Sequence, residues 1–231
     1  MAAGGKIDRV ERPRLYEQVV ERLINHVIAQ RLEPGDRLPP ERDLAENLGV
    51  SRATVAQALV ALEVLGVINV QHGNGAVLLY RPSNAAVLRG LREHTDRLPD
   101  IVDARSAVET KIAALAASRR TDEDLEQIED ALHVMGEDIA VGGRGLEGDE
   151  LFHAAITAAA HSSVLARMMG QIADLVRETR IESLGQEGRP EKSLESHRAI
   201  VEAIRAQDPD AAARAMAEHI ELVSDVALLR P

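Results

Sequence analysis

The 231 residues include no cysteine and no tryptophan. Without thiols there is neither a disulfide framework nor a thiolate metal site, which suits a reducing cytoplasm. Aromatic residues are reduced to Tyr16, Tyr80 and Phe152. That excludes the stacking platform needed to bind single-stranded nucleic acid, and leaves a core of Ala, Leu, Val and Ile that favours helices. No apolar run approaches the roughly 18 residues of a membrane span, and the opening MAAGGKIDRVERPR is polar. A soluble, cytoplasmic protein without membrane attachment is therefore expected. No repeat of fixed period is visible, so a solenoid is not expected.

Acid is in excess, with a net charge of −11. It is unevenly spread: residues 1–80 hold nine Lys/Arg against ten Asp/Glu, and residues 81–231 hold eighteen against twenty-eight. The first part can present a basic face to phosphates, whereas the second would be repelled by them. The length permits two domains, and the charge division supports two: residues 1–80, a linker at 81–84, and residues 85–231.

Residues 38–65, LPPERDLAENLGVSRATVAQALVALEVL, read as two short helices around a tight turn. Pro39 and Pro40 suit a helix entry. Gly49 permits a left-handed C-terminal position and Ser51 can cap the next helix. In that second helix Val55, Leu59 and Leu62 form an apolar stripe toward Leu44 and Leu48, leaving Arg52, Ala53, Ala56 and Gln57 on the opposite face. A guanidinium and an amide there match what major-groove edges and phosphates accept, although a plain helical hairpin with a solvated face has the same pattern.

A preceding helix is predicted from Leu15 to the turn at Glu33-Pro34-Gly35-Asp36. Two β-prone runs, 67–71 and 76–80, flank His72-Gly73-Asn74-Gly75 and predict a hairpin. Three helices followed by a hairpin make a winged helix, whose tip either touches DNA or is a solvent turn. Beyond residue 84 the pattern is helical: a short helix at 85–94, then helices at 98–118, 121–136, 146–161, 163–184, 190–207 and 209–229. Thr121 with Asp124 forms a capping-box pattern, and Asp208-Pro209 places a cap before a first-turn Pro. The fold class is mainly α, a winged helix-turn-helix joined to an all-α bundle.

Asp149 and His153 are four apart and share one helix face, while His197 and His219 stand in two later apolar-periodic segments. Converging in a bundle they could hold Zn, Ni or Mn; taken singly, each could equally be a hydrogen-bonded or surface histidine. Arg105, one turn before Glu109, either pairs with that carboxylate or holds an anionic ligand.

The motifs LYEQVVERL, PGDRLPPERDLAENLGVSRATVAQAL and LEVLGVINVQHGNGAVL resemble the GntR family of bacterial transcription regulators. The later DARSAVETKIAALAA, GDELFHAAITAAAHSSVL and ESHRAIVEAIRAQDPDAAARAMAEHI resemble the all-helical effector-binding (FCD) domain of its FadR-like branch. The resemblance implies DNA contacts from Arg42, Ser51, Arg52 and the wing residues His72 and Gly73, to which the exposed face of the second helix adds Ala53 and Gln57. It implies a metal set of Asp149, His153, His197 and His219, with Arg105 toward an effector carboxylate. It further implies a homodimeric repressor on a pseudo-palindromic double-stranded operator, with affinity controlled by a small carboxylate; relief of repression is the commoner family behaviour, and the sequence leaves the sign open. Two positions depart from the family pattern: Ala56 stands where Arg is usual in the recognition helix, and His161 stands where many members have Asn, which makes it a candidate effector contact while leaving open contact with the metal or with neither. A regulator for which the metal itself is the signal is the alternative. A metal-dependent hydrolase is disfavoured because no dedicated general base accompanies the ligands.

Overall fold

The computed structural model describes residues 14–71 and 75–224, which form nine α-helices and one small antiparallel sheet. The first three helices are α1 (Leu15–Ala29), α2 (Glu41–Leu48) and α3 (Arg52–Val64). Gly49 ends α2 with φ +67°, a left-handed conformation that a side chain would oppose, and the Ser51 hydroxyl accepts from Thr54 N at 3.1 Å. Turn and cap thus form as the sequence expects. Strands β1 (Ile68–Gln71) and β2 (Gly75–Leu78) pair with Ile68 opposite Leu78, and Leu38 N donates to Ala76 O at 2.9 Å. His72 and Gly73, at the expected wing tip, lie outside the described residues.

Residues 85–94 and 98–118 do not form separate helices. A single helix, α4 (Asn84–Arg119), runs through both and through Pro99. Proline costs an interior helix a hydrogen bond and a steric clash, so tertiary contacts must hold the turns on either side. Leu91 and Leu98 are buried, and His94 bridges Glu178 and Glu182 at 3.0 Å each. Val87, Leu91 and Leu98 also join the core formed by α1, α2, α3 and the sheet, so the front half of α4 belongs to the packing of the winged helix.

The chain continues through α5 (Asp122–Ala140), α6 (Leu146–Ala159), α7 (Ser163–Leu184), α8 (Arg189–Arg205) and α9 (Pro209–Ser224). Thr121 and Asp124 make the expected reciprocal cap of α5, with distances of 2.8 and 3.1 Å. A second core collects Ile112, Ile128, Phe152, Ile156, Ile200 and Met216 from four of these helices and α4. Phe152, the chain's one phenylalanine, is fully buried within it.

Candidate metal and effector centre

Each histidine of the expected set sits on the apolar stripe of its helix. His153 follows Phe152 and precedes Ile156, His197 lies between Leu194 and Ile200, and His219 lies between Met216 and Ile220. A stripe that must face the core carries its histidine inward with it. On α6 the approach is especially close, because a Cβ at Gly148 would overlap backbone atoms of Met135 on α5. That contact seats the next residue, Asp149, in the interior at 2% exposure.

The structure brings these residues together. The three imidazoles offer ligand atoms within 4.8 Å of one another. His197 Nε2 lies 3.3 Å from His219 Nε2 and 3.6 Å from Asp149 Oδ1. Outside this cluster, His153 Nδ1 is paired with Glu109 Oε2 at 2.8 Å, and His219 Nδ1 with the Ser196 hydroxyl at 2.8 Å. Holding one ring nitrogen fixes which nitrogen turns toward the centre. His153 Nε2 is buried with no hydrogen-bond partner among the described residues. Such an orphan costs about 1–3 kcal/mol, which a bound ion would relieve. The His197 ring stacks on Phe152 with centroids 4.2 Å apart.

Electrostatics keep His197 and His219 neutral and Asp149 and Glu109 ionised. Burial pushes His197 down to about 3 and His219 well below its usual value, so both keep lone pairs at neutral pH. Burial alone would raise Asp149, but His153, Arg180 and His197 outweigh it and hold the carboxyl below the usual range. Glu109 is likewise driven up by burial and down further by Arg105 and His153, ending well below its ordinary value. Neutral imidazoles with a carboxylate are the donor set that a divalent transition ion takes, so the residues present fit one.

Two guanidiniums flank the cluster, one buried and one partly exposed. Arg105, fully buried, donates from Nε to Glu109 Oε1 at 2.6 Å and from Nη1 to the Thr179 hydroxyl at 3.0 Å. The internal salt bridge is thus present, yet Nη2 is buried without a hydrogen-bond partner among the described residues and retains donors. Arg180 Nε stands 3.0 Å from Asp149 Oδ2. A cleft of about 380 Å³ between α6 and α7 reaches the cluster, lined among others by Glu150, His153, Thr157, Asp174, Arg177 and Arg180.

Arg180, Thr179 and Ser196 are absent from the sequence-derived site. The signal for Arg180 is its spacing of four from Val176, which places it on the inward stripe of α7. His161 lies elsewhere: half exposed in the turn after α6, with φ +45°, it binds Asp124 at 2.8 Å in the cap of α5. It stands eight residues beyond His153, about 12 Å along a helix.

In the DNA-reading half, Arg42 is exposed and 3.3 Å from Asp43, while Arg52, Ala53 and Gln57 are exposed on α3. Ser51 is occupied as the cap of α3, and Ala56 is half-buried.

Comparison with known proteins agrees with this architecture. Residues 15–78 match the bacterial regulatory proteins of the gntR family, and residues 100–222 match the FCD domain. The HTH-type transcriptional regulator LutR of Bacillus subtilis is 32% identical over 84% of this chain and 93% of its own length. A putative L-lactate dehydrogenase operon regulatory protein of Escherichia coli is 32% identical over 91% of this chain and 85% of its own. The solved GntR of Streptococcus agalactiae has 29% identity and a TM-score of 0.48, covering 90% of this chain and 98% of that one. No helix among the described residues is long and apolar enough to cross a membrane. A winged helix-turn-helix followed by an FCD domain, shared along most of their length with named transcriptional regulators, places the chain in the GntR family of DNA-binding transcriptional regulators.

Proposed function

We propose that the protein is a homodimeric repressor whose operator affinity is set by a small carboxylate held at a divalent-metal site in the FCD domain. The observation carrying this reading is the buried convergence of His153, His197 and His219 beside Asp149, with His153 Nε2 left unpartnered. Asp149, His153, His197 and His219 would hold the ion, which when bound supplies a positive centre for a carboxylate and a neighbouring hydroxyl or keto oxygen. Glu109 and Ser196 orient the imidazoles from behind. Arg180 lines the cleft through which an anion enters, and Arg105 Nη2 offers spare N–H groups beyond it.

A hydroxy acid, keto acid, sugar acid or dicarboxylate suits this chemistry. One relative is named as a putative regulator of an L-lactate dehydrogenase operon, and lactate is a hydroxy acid. In a dimer two recognition helices meet two half-sites of a pseudo-palindrome, with Arg42, Arg52, Ala53, Gln57 and the wing residues His72 and Gly73 facing DNA and Ser51 holding the start of the helix. The effector acts only through its differential affinity for the arrangements that do and do not fit DNA.

The deciding experiment is metal analysis of the purified protein and of His197→Ala, with a thermal-shift screen of small carboxylates on loaded and chelated samples. We expect a bound ion in the parent, none in the variant, and stabilisation by a carboxylate in the loaded form alone. Equal metal content in parent and variant overturns the ligand set.

A further inference from the structure

Helix α3 carries a second apolar stripe that a DNA reader alone does not require. Val55, Leu59 and Leu62 enter the core of the winged helix, whereas Val60 and Val64 pack with Ile181 of α7 and against Leu146 of α6. Ala56 continues that stripe one turn earlier and is half-buried. At the end of α7 the backbone itself closes on α3, since a Cβ at Gly185 would overlap Val60. Beside this seam Arg144, in the loop before α6, pairs with the buried Glu63 at the end of α3 at 2.8 Å and donates to Val70 O of β1 at 3.3 Å.

The seam borders the face that must meet base edges: Ala56 is half-buried beside it, while Arg52, Ala53 and Gln57 remain exposed. Ala53, Ala56 and Gln57 line a cleft of about 340 Å³ whose opposite wall includes Glu182 of α7 and Gly185 and Gln186 just beyond its end. The major groove is about 12 Å wide, and a helix with its side chains about 10–12 Å across. The chain at the end of α7, beside Ala56 and Val60, therefore occupies the flank of α3 where a wall of the groove would have to come. The segment of α7 that makes the seam also holds Thr179 and Arg180, so its inner side touches Arg105 and Asp149 while its outer side touches the DNA reader.

We propose that the α3–α7 seam is an autoinhibitory latch: Val60, Val64 and Ala56 docked on Ile181 and Gly185, with Arg144 closed on Glu63, hold the recognition helix against the effector domain. The latch must open for the groove to be entered. Its position on the helix carrying Arg180 makes α7 the shared element between the interior site and the reading face.

The test uses the full chain and exploits the absence of cysteine, so that Val60→Cys with Gly185→Cys introduces one defined thiol pair. A duplex is first selected from a random-sequence pool by the unmodified protein, and no metal or acid is added, so failure here is distinct from failure of the effector reading. We expect mild oxidation to cross-link the pair and to weaken binding at least tenfold, with recovery on reduction. Absence of the cross-link, or undiminished binding by the cross-linked protein, overturns the latch. A second variant, Arg144→Ala, leaves both apolar cores intact and is expected to bind the same duplex severalfold more tightly; unchanged affinity counts equally against the proposal.

Discussion

His153 Nδ1 and Glu109 Oε2 meet at 2.8 Å inside the bundle, and the same carboxylate holds Arg105 through its other oxygen at 2.6 Å. One buried anion thus orients a candidate metal ligand and a candidate effector contact together. Glu109→Gln keeps the shape but removes the charge. Partners standing behind metal ligands typically contribute about 10–100-fold in affinity. Competition against a calibrated chelator is expected to show a loss in that range, accompanied by lower stability of the metal-free protein because Arg105 loses its counter-charge. Unchanged metal affinity would remove Glu109 from the orienting role.

Gly148 packs against the Met135 backbone and seats Asp149. Gly148→Ala would force α5 and α6 apart despite its small size and its gain in helix propensity. We expect a loss of about 1–3 kcal/mol, the usual scale for overpacking, read as a lower denaturation midpoint together with weaker metal retention. A neutral or stabilised variant would show that the two helices separate freely.

His94 should give the fold a pH dependence of known sign. Burial lowers its pKa, but hydrogen bonds and charge from Glu178 and Glu182 outweigh this and raise it to about 9 from 6.5. Arg97, 3.5 Å from Glu178, shares that carboxylate. A raised folded-state value means the stabilisation is complete below about pH 6.5 and is lost as pH rises through about 9. Its scale, on the order of 3 kcal/mol, follows from the shift. Unfolding measured from pH 6 to 10 should show this decline in the parent and a flatter profile in His94→Gln. Parallel profiles would refute the assignment.

Ala56 faces the cleft against α7. Ala56→Arg is expected to strengthen DNA binding about tenfold, the scale of one added charge-assisted hydrogen bond, with a steeper salt dependence if the new charge meets phosphate. Weaker binding, or none, would place this position outside the groove.

Local chemistry made most of the elements legible. Gly49, Ser51, Thr121 with Asp124, and Asp208-Pro209 mark their boundaries through backbone conformations and caps that depend on near neighbours alone. The break expected near residues 95–97 is the informative exception. Pro99 argues for it locally, but distant residues Glu178 and Glu182 hold His94, and the winged-helix core holds Leu98, so the helix continues.

The histidine cluster was legible in part because Asp149 and His153 share a face and His197 and His219 each lie on an apolar stripe, which spacing reveals. That three separate helices aim these stripes at one point was carried by family resemblance. Arg180 and Ser196 were missed because a single polar residue on an amphipathic helix says nothing about its partner.

The sequence by itself determined which segments are helical, which faces are apolar, and that a neutral reader is followed by an acidic bundle, since these follow from composition and short-range periodicity. Tertiary structure alone decided that α4 is continuous, that Glu109 serves both Arg105 and His153, that His161 belongs to the α5 cap, and that α3 lies on α7. Each depends on residues far apart in the chain. Their contact free energies exceed local preference only once both cores have formed.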